Sequence, residues 1–78
     1  MSIKTKNKLE LIKTPSFVAI DNISELIQKD LNGKVELEII RTNVSNILVK
    51  QGSSNFVALY NFAIASKNYT AFIQNLKI

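Results

Sequence analysis

The chain has 78 residues and a formal net charge of +4 at pH 7, which suits one small domain with a modest excess of cations. It contains no His and no Cys, which excludes the commonest general base, a thiol nucleophile, disulfides and the usual zinc and haem ligands. No reactive-serine or nucleotide-binding motif is present, so we expect no enzyme, no metal and no cofactor.

The charge is divided along the chain. Residues 1–13 carry four Lys and one Glu, residues 14–38 carry five acids and two Lys, and residues 39–78 carry four cations and no acid. Residues 1–7 are predicted to be a flexible basic arm, and residues 8–78 to be a single α+β domain. Such an arm binds phosphates or acidic protein surfaces, or acts as a solubilising tail.

Apolar residues are plentiful but dispersed. Eleven Ile and eight Leu can supply a core. The longest apolar run falls far short of the ~20 residues that cross a bilayer, and no signal peptide pattern follows the basic start. We therefore expect a cytoplasmic protein that does not contact the membrane.

The first elements in chain order have weak strand signals. Residues 8–13 alternate between apolar and polar side chains and are predicted to form a strand. Pro15 interrupts this pattern. Residues 16–20 then read as a short strand or a tethering segment, and the neighbouring proline favours an edge position.

The next element has the clearest signals of any segment. Residues 22–31 are predicted to form a helix, because their apolar residues recur at helical spacing. Asn22 is a candidate N-cap, with Glu25 three residues later as in a capping box. Asn32 and Gly33 then supply a left-handed stop.

Two strands are predicted after this helix. Residues 34–41 alternate Val, Leu and Ile with Glu, which is typical of a half-buried strand. A turn at Thr42-Asn43 would lead to a second strand over residues 44–51.

Residues 55–65 are apolar on every side in either secondary structure, with Asn61 as the only polar side chain after the first residue. Aromatic and β-branched residues favour a strand, whereas a helix capped by Ser53 or Ser54 is the alternative. Apolar residues from Tyr69 onward predict a final helix with Asn68 as its cap.

The predicted fold is therefore α+β, with the order β-α-β-β-β-α and two helices on one face of an antiparallel sheet of three to four strands. If residues 55–65 are helical instead, the sheet shrinks to a hairpin accompanied by helices.

The two-sided apolar segment leads to a hypothesis about function. A domain of this size can rarely cover both sides of such an element, so the second side is expected to meet another protein chain. The sequence thus predicts a small interaction module, as a homodimer or as an accessory or regulatory component of an assembly, with its own copies as the favoured partner. Its association should survive high salt and be lost on substitution of Tyr60 or Phe62 by Asp. The predicted interface consists of Phe56, Val57, Leu59, Tyr60 and Phe62.

Nucleic-acid binding is the alternative that the sequence leaves open, although it is not favoured. It relies on the basic arm and on the acid-free second half of the chain. Its affinity would fall steeply as salt is raised. The candidate contacts to phosphates, or to an acidic partner, are Lys4, Lys6, Lys8, Arg41, Lys50 and Lys67.

Overall fold

A computed structural model describes residues 11–76 of the chain. Within that range the chain forms helices and no strand, so the predicted α+β fold with its antiparallel sheet is wrong. The protein is a small helical bundle. Its helices are α1 (Phe17–Asp30), α2 (Leu37–Gln51), α3 (Ser53–Ser66) and α4 (Thr70–Asn75).

Helix α1 includes the predicted helix but begins five residues earlier. Its N-cap is Ser16, whose backbone is extended and whose hydroxyl oxygen accepts a hydrogen bond from the Ala19 N–H at 3.1 Å. This cap converts the predicted edge strand over residues 16–20 into the first turn of the helix. Asn22 is not a cap but lies buried inside α1.

The predicted stop after α1 is confirmed. Asn32 has a φ of 59° and Gly33 has a φ of 73°. The Asn32 N–H donates to the Lys29 carbonyl at 3.0 Å, and the Gly33 N–H donates to the Gln28 carbonyl at 2.9 Å. These two bonds form a Schellman motif, which satisfies carbonyl groups that the helix end leaves free.

Helix α2 replaces the strands predicted over residues 34–41 and 44–51 and the turn between them. Ile40, Val44 and Ile47 follow one another at helical spacing, and all three are buried. The alternation of Glu with apolar residues near the start of α2 was therefore misleading. Burial against the other helices outweighed the local preference for a strand.

Helix α3 confirms the alternative of a helical segment over residues 55–65, although no hairpin accompanies it within residues 11–76. The helix begins directly after Gly52, which is the only residue between α2 and α3. The predicted cap of the last helix is one residue off, since the N-cap of α4 is Tyr69 and not Asn68. The Asn68 side-chain oxygen still accepts from the Thr70 N–H at 3.0 Å.

The core lies between the helices. Helix α1 packs on α2, α2 on α3, and α3 on α4. The rings of Phe56 and Phe72 meet edge to face with centroids 5.8 Å apart, which fixes the short α4 against α3. The buried core residues are Ala19, Ile20, Ile23, Ile27, Ile40, Val44, Ile47, Phe56, Tyr60, Ala63, Phe72 and Leu76.

Two predictions fall partly or wholly outside the described residues. The predicted arm lies outside them, and so does the first part of the strand predicted over residues 8–13. The part of that segment which is described, from Leu11 to Lys13, is not in a strand. Between residues 11 and 76 no helix combines the length and the apolar character needed to cross a membrane.

Candidate interaction surfaces

The fold separates the five residues predicted to form an interface. Phe56 and Tyr60 are completely or almost completely buried in the core, on the inner face of α3. Val57 and Leu59 are half-buried. Phe62 remains 57% exposed. Three of the five side chains thus keep some surface that a partner chain could contact.

Asn61 explains why α3 needs less outside cover than its sequence suggests. Its side-chain oxygen accepts from the Ile12 N–H at 2.7 Å, and its side-chain nitrogen donates to the Ile12 carbonyl at 2.8 Å. These two bonds hold the segment before α1 against α3. Ile12 of the chain's own segment before α1 therefore covers part of the side of α3 on which Asn61 lies.

The largest exposed apolar side chain is at the start of α1. Phe17 is 87% exposed and Val18 is 62% exposed. Phe17 also borders a shallow groove of about 420 Å³ that Pro15, Ile20 and Leu48 line with it. Sequence reasoning missed this surface because it placed Phe17 and Val18 in a strand.

A second exposed surface runs along α2. Ile39, Thr42, Asn46 and Val49 follow one another at intervals of three, four and three residues, which places them on one side of the helix. All four are exposed, Ile39 to 44% and Val49 to 79%. We call these four residues the α2 outer face. The signal for it was present in the sequence as a 3-4-3 spacing, but it is visible only when residues 37–51 are read as one helix.

Two shallow hollows lie beside the α2 outer face. One is about 230 Å³ in volume and is lined by Glu38, Ile39, Thr42 and Asn43. The other is about 360 Å³, and its lining includes Asn43, Asn46 and Lys50. Ile39 and Thr42 line the first hollow, Asn46 lines the second, and Asn43 lines both. Both hollows therefore adjoin the α2 outer face and leave room for the side chains of a facing element.

The predicted phosphate contacts do not come together among the described residues. The Arg41 Nε lies 2.8 Å from an Asp21 carboxylate oxygen, and Arg41 Nη1 donates to Glu38 at 3.2 Å. Lys50 and Lys67 are exposed near opposite ends of α3, which is about 21 Å long. Lys4, Lys6 and Lys8 lie outside the described residues.

The surroundings of Tyr60 change the pKa of its phenol. Burial raises the pKa of its phenol above the ordinary value, while a hydrogen bond with the Asn22 side chain lowers it in part. The phenol is thus a neutral, hydrogen-bonded member of the core at physiological pH. Among residues 11–76, no three carboxylates gather into a group that could hold a metal ion.

Comparison with protein-family models, with curated proteins and with solved structures finds no match to this chain.

Proposed function

We propose that this protein is a non-enzymatic protein–protein interaction module, and that its favoured partner is a second copy of itself. The contact is made by apolar side chains that the fold leaves exposed. The observation that carries the proposal is the exposure of Phe17 and Val49, to 87% and 79%, on helices whose opposite faces build the core. The exposed side chains thus offer two separate candidate surfaces, one at the start of α1 and one on α2, and of the segment over residues 55–65 only Phe62 contributes an exposed large side chain.

The energy available from such a surface is sufficient for association. Burial of apolar surface contributes about 25 cal/mol per Å², so covering a few hundred Å² supplies several kcal/mol. Phe17 and Val18 are neighbours in the chain, and Phe17 lines an apolar groove, which distinguishes the pair from single apolar residues scattered over a surface.

Nucleic-acid binding is less well supported by the described cations. Arg41 is committed to two carboxylates of its own chain. Lys50 and Lys67 are too far apart to form one patch with each other. An electrostatic interface needs several cations on one surface.

Light scattering of the full chain during size-exclusion chromatography tests the proposal. We expect the mean mass to rise from that of one chain towards that of two between about 1 μM and about 1 mM protein. The rise should persist at about 1 M NaCl, because apolar contacts are not screened by salt. A single-chain mass over the whole range would refute self-association, and co-eluting nucleic acid that is released by salt would favour the alternative function.

A further inference from the structure

We propose that the α2 outer face is the self-association surface, and that two copies of α2 pack there in antiparallel orientation about a two-fold axis. This inference rests on the proposed function and specifies its surface and geometry. The α2 outer face is chosen over the groove beside Phe17 because its residue pattern and its charges both match a second copy of the same face.

The residue pattern is that of a helix-pairing seam. Intervals of three, four and three residues are those of successive a and d positions in a heptad, which form the contact line between paired helices. The inner side of α2, with Ile40, Val44 and Ile47, is already used by the core. The outer face is therefore a second seam on the same helix, which no element within residues 11–76 covers.

Antiparallel packing pairs the apolar residues of the seam with apolar residues and the polar residues with polar residues. With the two-fold axis near the middle of α2, Ile39 of one copy meets Val49 of the other, and Thr42 meets Asn46. Each pairing occurs twice by symmetry, as an isologous interface requires. The apolar pairs lie at the two ends, and the polar pairs between them can form hydrogen bonds that fix the register.

The charges on α2 select antiparallel over parallel packing. Glu36 is the N-cap of α2 and Glu38 lies in its first turn, so this end stays acidic although Glu38 pairs with Arg41 of its own chain. Lys50 lies in the last turn. Parallel packing would match the same residues with themselves, but it would bring the two Glu38 carboxylates to one end and the two Lys50 ammonium groups to the other. Antiparallel packing places the acidic end of each helix beside the basic end of its partner, and the helix dipoles also oppose each other.

The size of the surface sets the strength of the contact. Helix α2 has 15 residues and is about 22 Å long. A single pair of helices of this length buries less than the ~800 Å² per partner of a standard interface. We therefore expect a dissociation constant on the order of 10–100 μM, in the range of transient self-association.

Substitution by Asp distinguishes the α2 outer face from the surface at the start of α1. Val49→Asp is expected to weaken the dimer at least ~10-fold by light scattering, since it puts a charge at an apolar contact. Val18→Asp makes the same change at an exposed valine of the competing surface on α1 and is expected to leave dimerisation unchanged. A dimer weakened by Val18→Asp as much as by Val49→Asp would overturn the choice of the α2 outer face. Circular dichroism should show unchanged helix content for both. If Val49→Asp dimerises like the wild type, the proposed surface is refuted while self-association stands; if the wild type never dimerises, the proposed function itself fails.

Disulfide trapping tests the orientation, and the chain suits it because it contains no Cys. Ile39→Cys and Val49→Cys proteins are mixed in equal amounts above the dissociation constant and oxidised in a glutathione buffer. Antiparallel packing predicts that the mixed disulfide, which joins the two different variants, makes up well over half of all disulfide-linked dimers, whereas random collision gives it half. A Glu25→Cys protein, changed at an exposed position of α1, measures the collision background. Excess of the symmetrical disulfide between two Ile39→Cys chains, or trapping no faster than this background, would overturn the antiparallel arrangement.

Discussion

Gly52 connects α2 to α3 without any other residue between them, and its substitution by L-alanine should destabilise the fold. Its φ of 91° and ψ of 163° lie in a region of backbone conformation that is nearly exclusive to glycine. A Cβ added there would have no heavy atom within 4 Å from any residue other than its two chain neighbours. The whole cost therefore comes from the local backbone, and we expect Gly52→Ala to lower the free energy of unfolding by about 1–3 kcal/mol.

Chirality provides a sharp control for this prediction, because 78 residues are within reach of chemical synthesis. D-Alanine at position 52 finds the same φ and ψ in the mirror image of the ordinary extended region, where a side chain is tolerated. Urea titration followed by circular dichroism should show the D-alanine protein to be more stable than the L-alanine protein by about 1–3 kcal/mol, a difference of several degrees or more in Tm. Equal stability of the two proteins would show that the backbone of Gly52 is not strained for L-residues, and would refute the reasoning.

Four further changes test other parts of the fold by urea titration. Asn61→Ala should cost about 1–3 kcal/mol, because it removes both hydrogen bonds to the Ile12 backbone; a neutral result would mean that this contact does not hold the N-terminal segment. Ser24→Ala should stabilise the protein by about 1 kcal/mol, since within residues 11–76 the fully buried Ser24 hydroxyl has no hydrogen-bond partner; destabilisation would imply that it has one. Lys67→Gly should also gain about 1 kcal/mol, because Lys67 has a φ of 55° at the end of α3, and a loss would contradict this. The raised pKa of Tyr60 predicts that stability is complete below the unfolded-state value near 10 and is lost as pH rises through the folded-state value. Tyr60→Phe should flatten this alkaline loss, and an unchanged slope would exclude Tyr60 as its source.

Local signals located the ends of elements better than their type. Asn32 and Gly33 predicted the end of α1 correctly, because a positive φ depends on the residue itself and not on its surroundings. The start was misplaced because the sequence analysis took Asn22 as the cap and put residues 16–20 in a strand, whereas Ser16 is the N-cap in the structure. The side chain of Asn22 instead forms a hydrogen bond with the phenol of Tyr60, which lies far away in the sequence.

Helix α2 shows why periodicity alone misled. Val35, Leu37 and Ile39 alternate with Glu as in a strand, but only Leu37 and Ile39 belong to the helix, and neither is fully buried. The helical spacing of the buried residues in α2 begins at Ile40. Ile40 directly follows Ile39, the last apolar residue of the alternating pattern. Because residues 34–51 were read as two strands, the residues of the α2 outer face were assigned to different elements. The wrong fold therefore also prevented these residues from being recognised as one surface.

The structure also changes which substitutions can test for self-association. An exposed side chain contacts water in both the folded and the unfolded chain, so replacing Val49 by Asp changes the stability of the monomer by roughly 0.5 kcal/mol or less. Tyr60→Asp, which the sequence alone recommended, would instead place a carboxylate at a site that is 1% exposed and cost the monomer several kcal/mol. A dimer lost through Tyr60→Asp would therefore report unfolding. A dimer lost through Val49→Asp, with helix content intact, would report the loss of the contact itself.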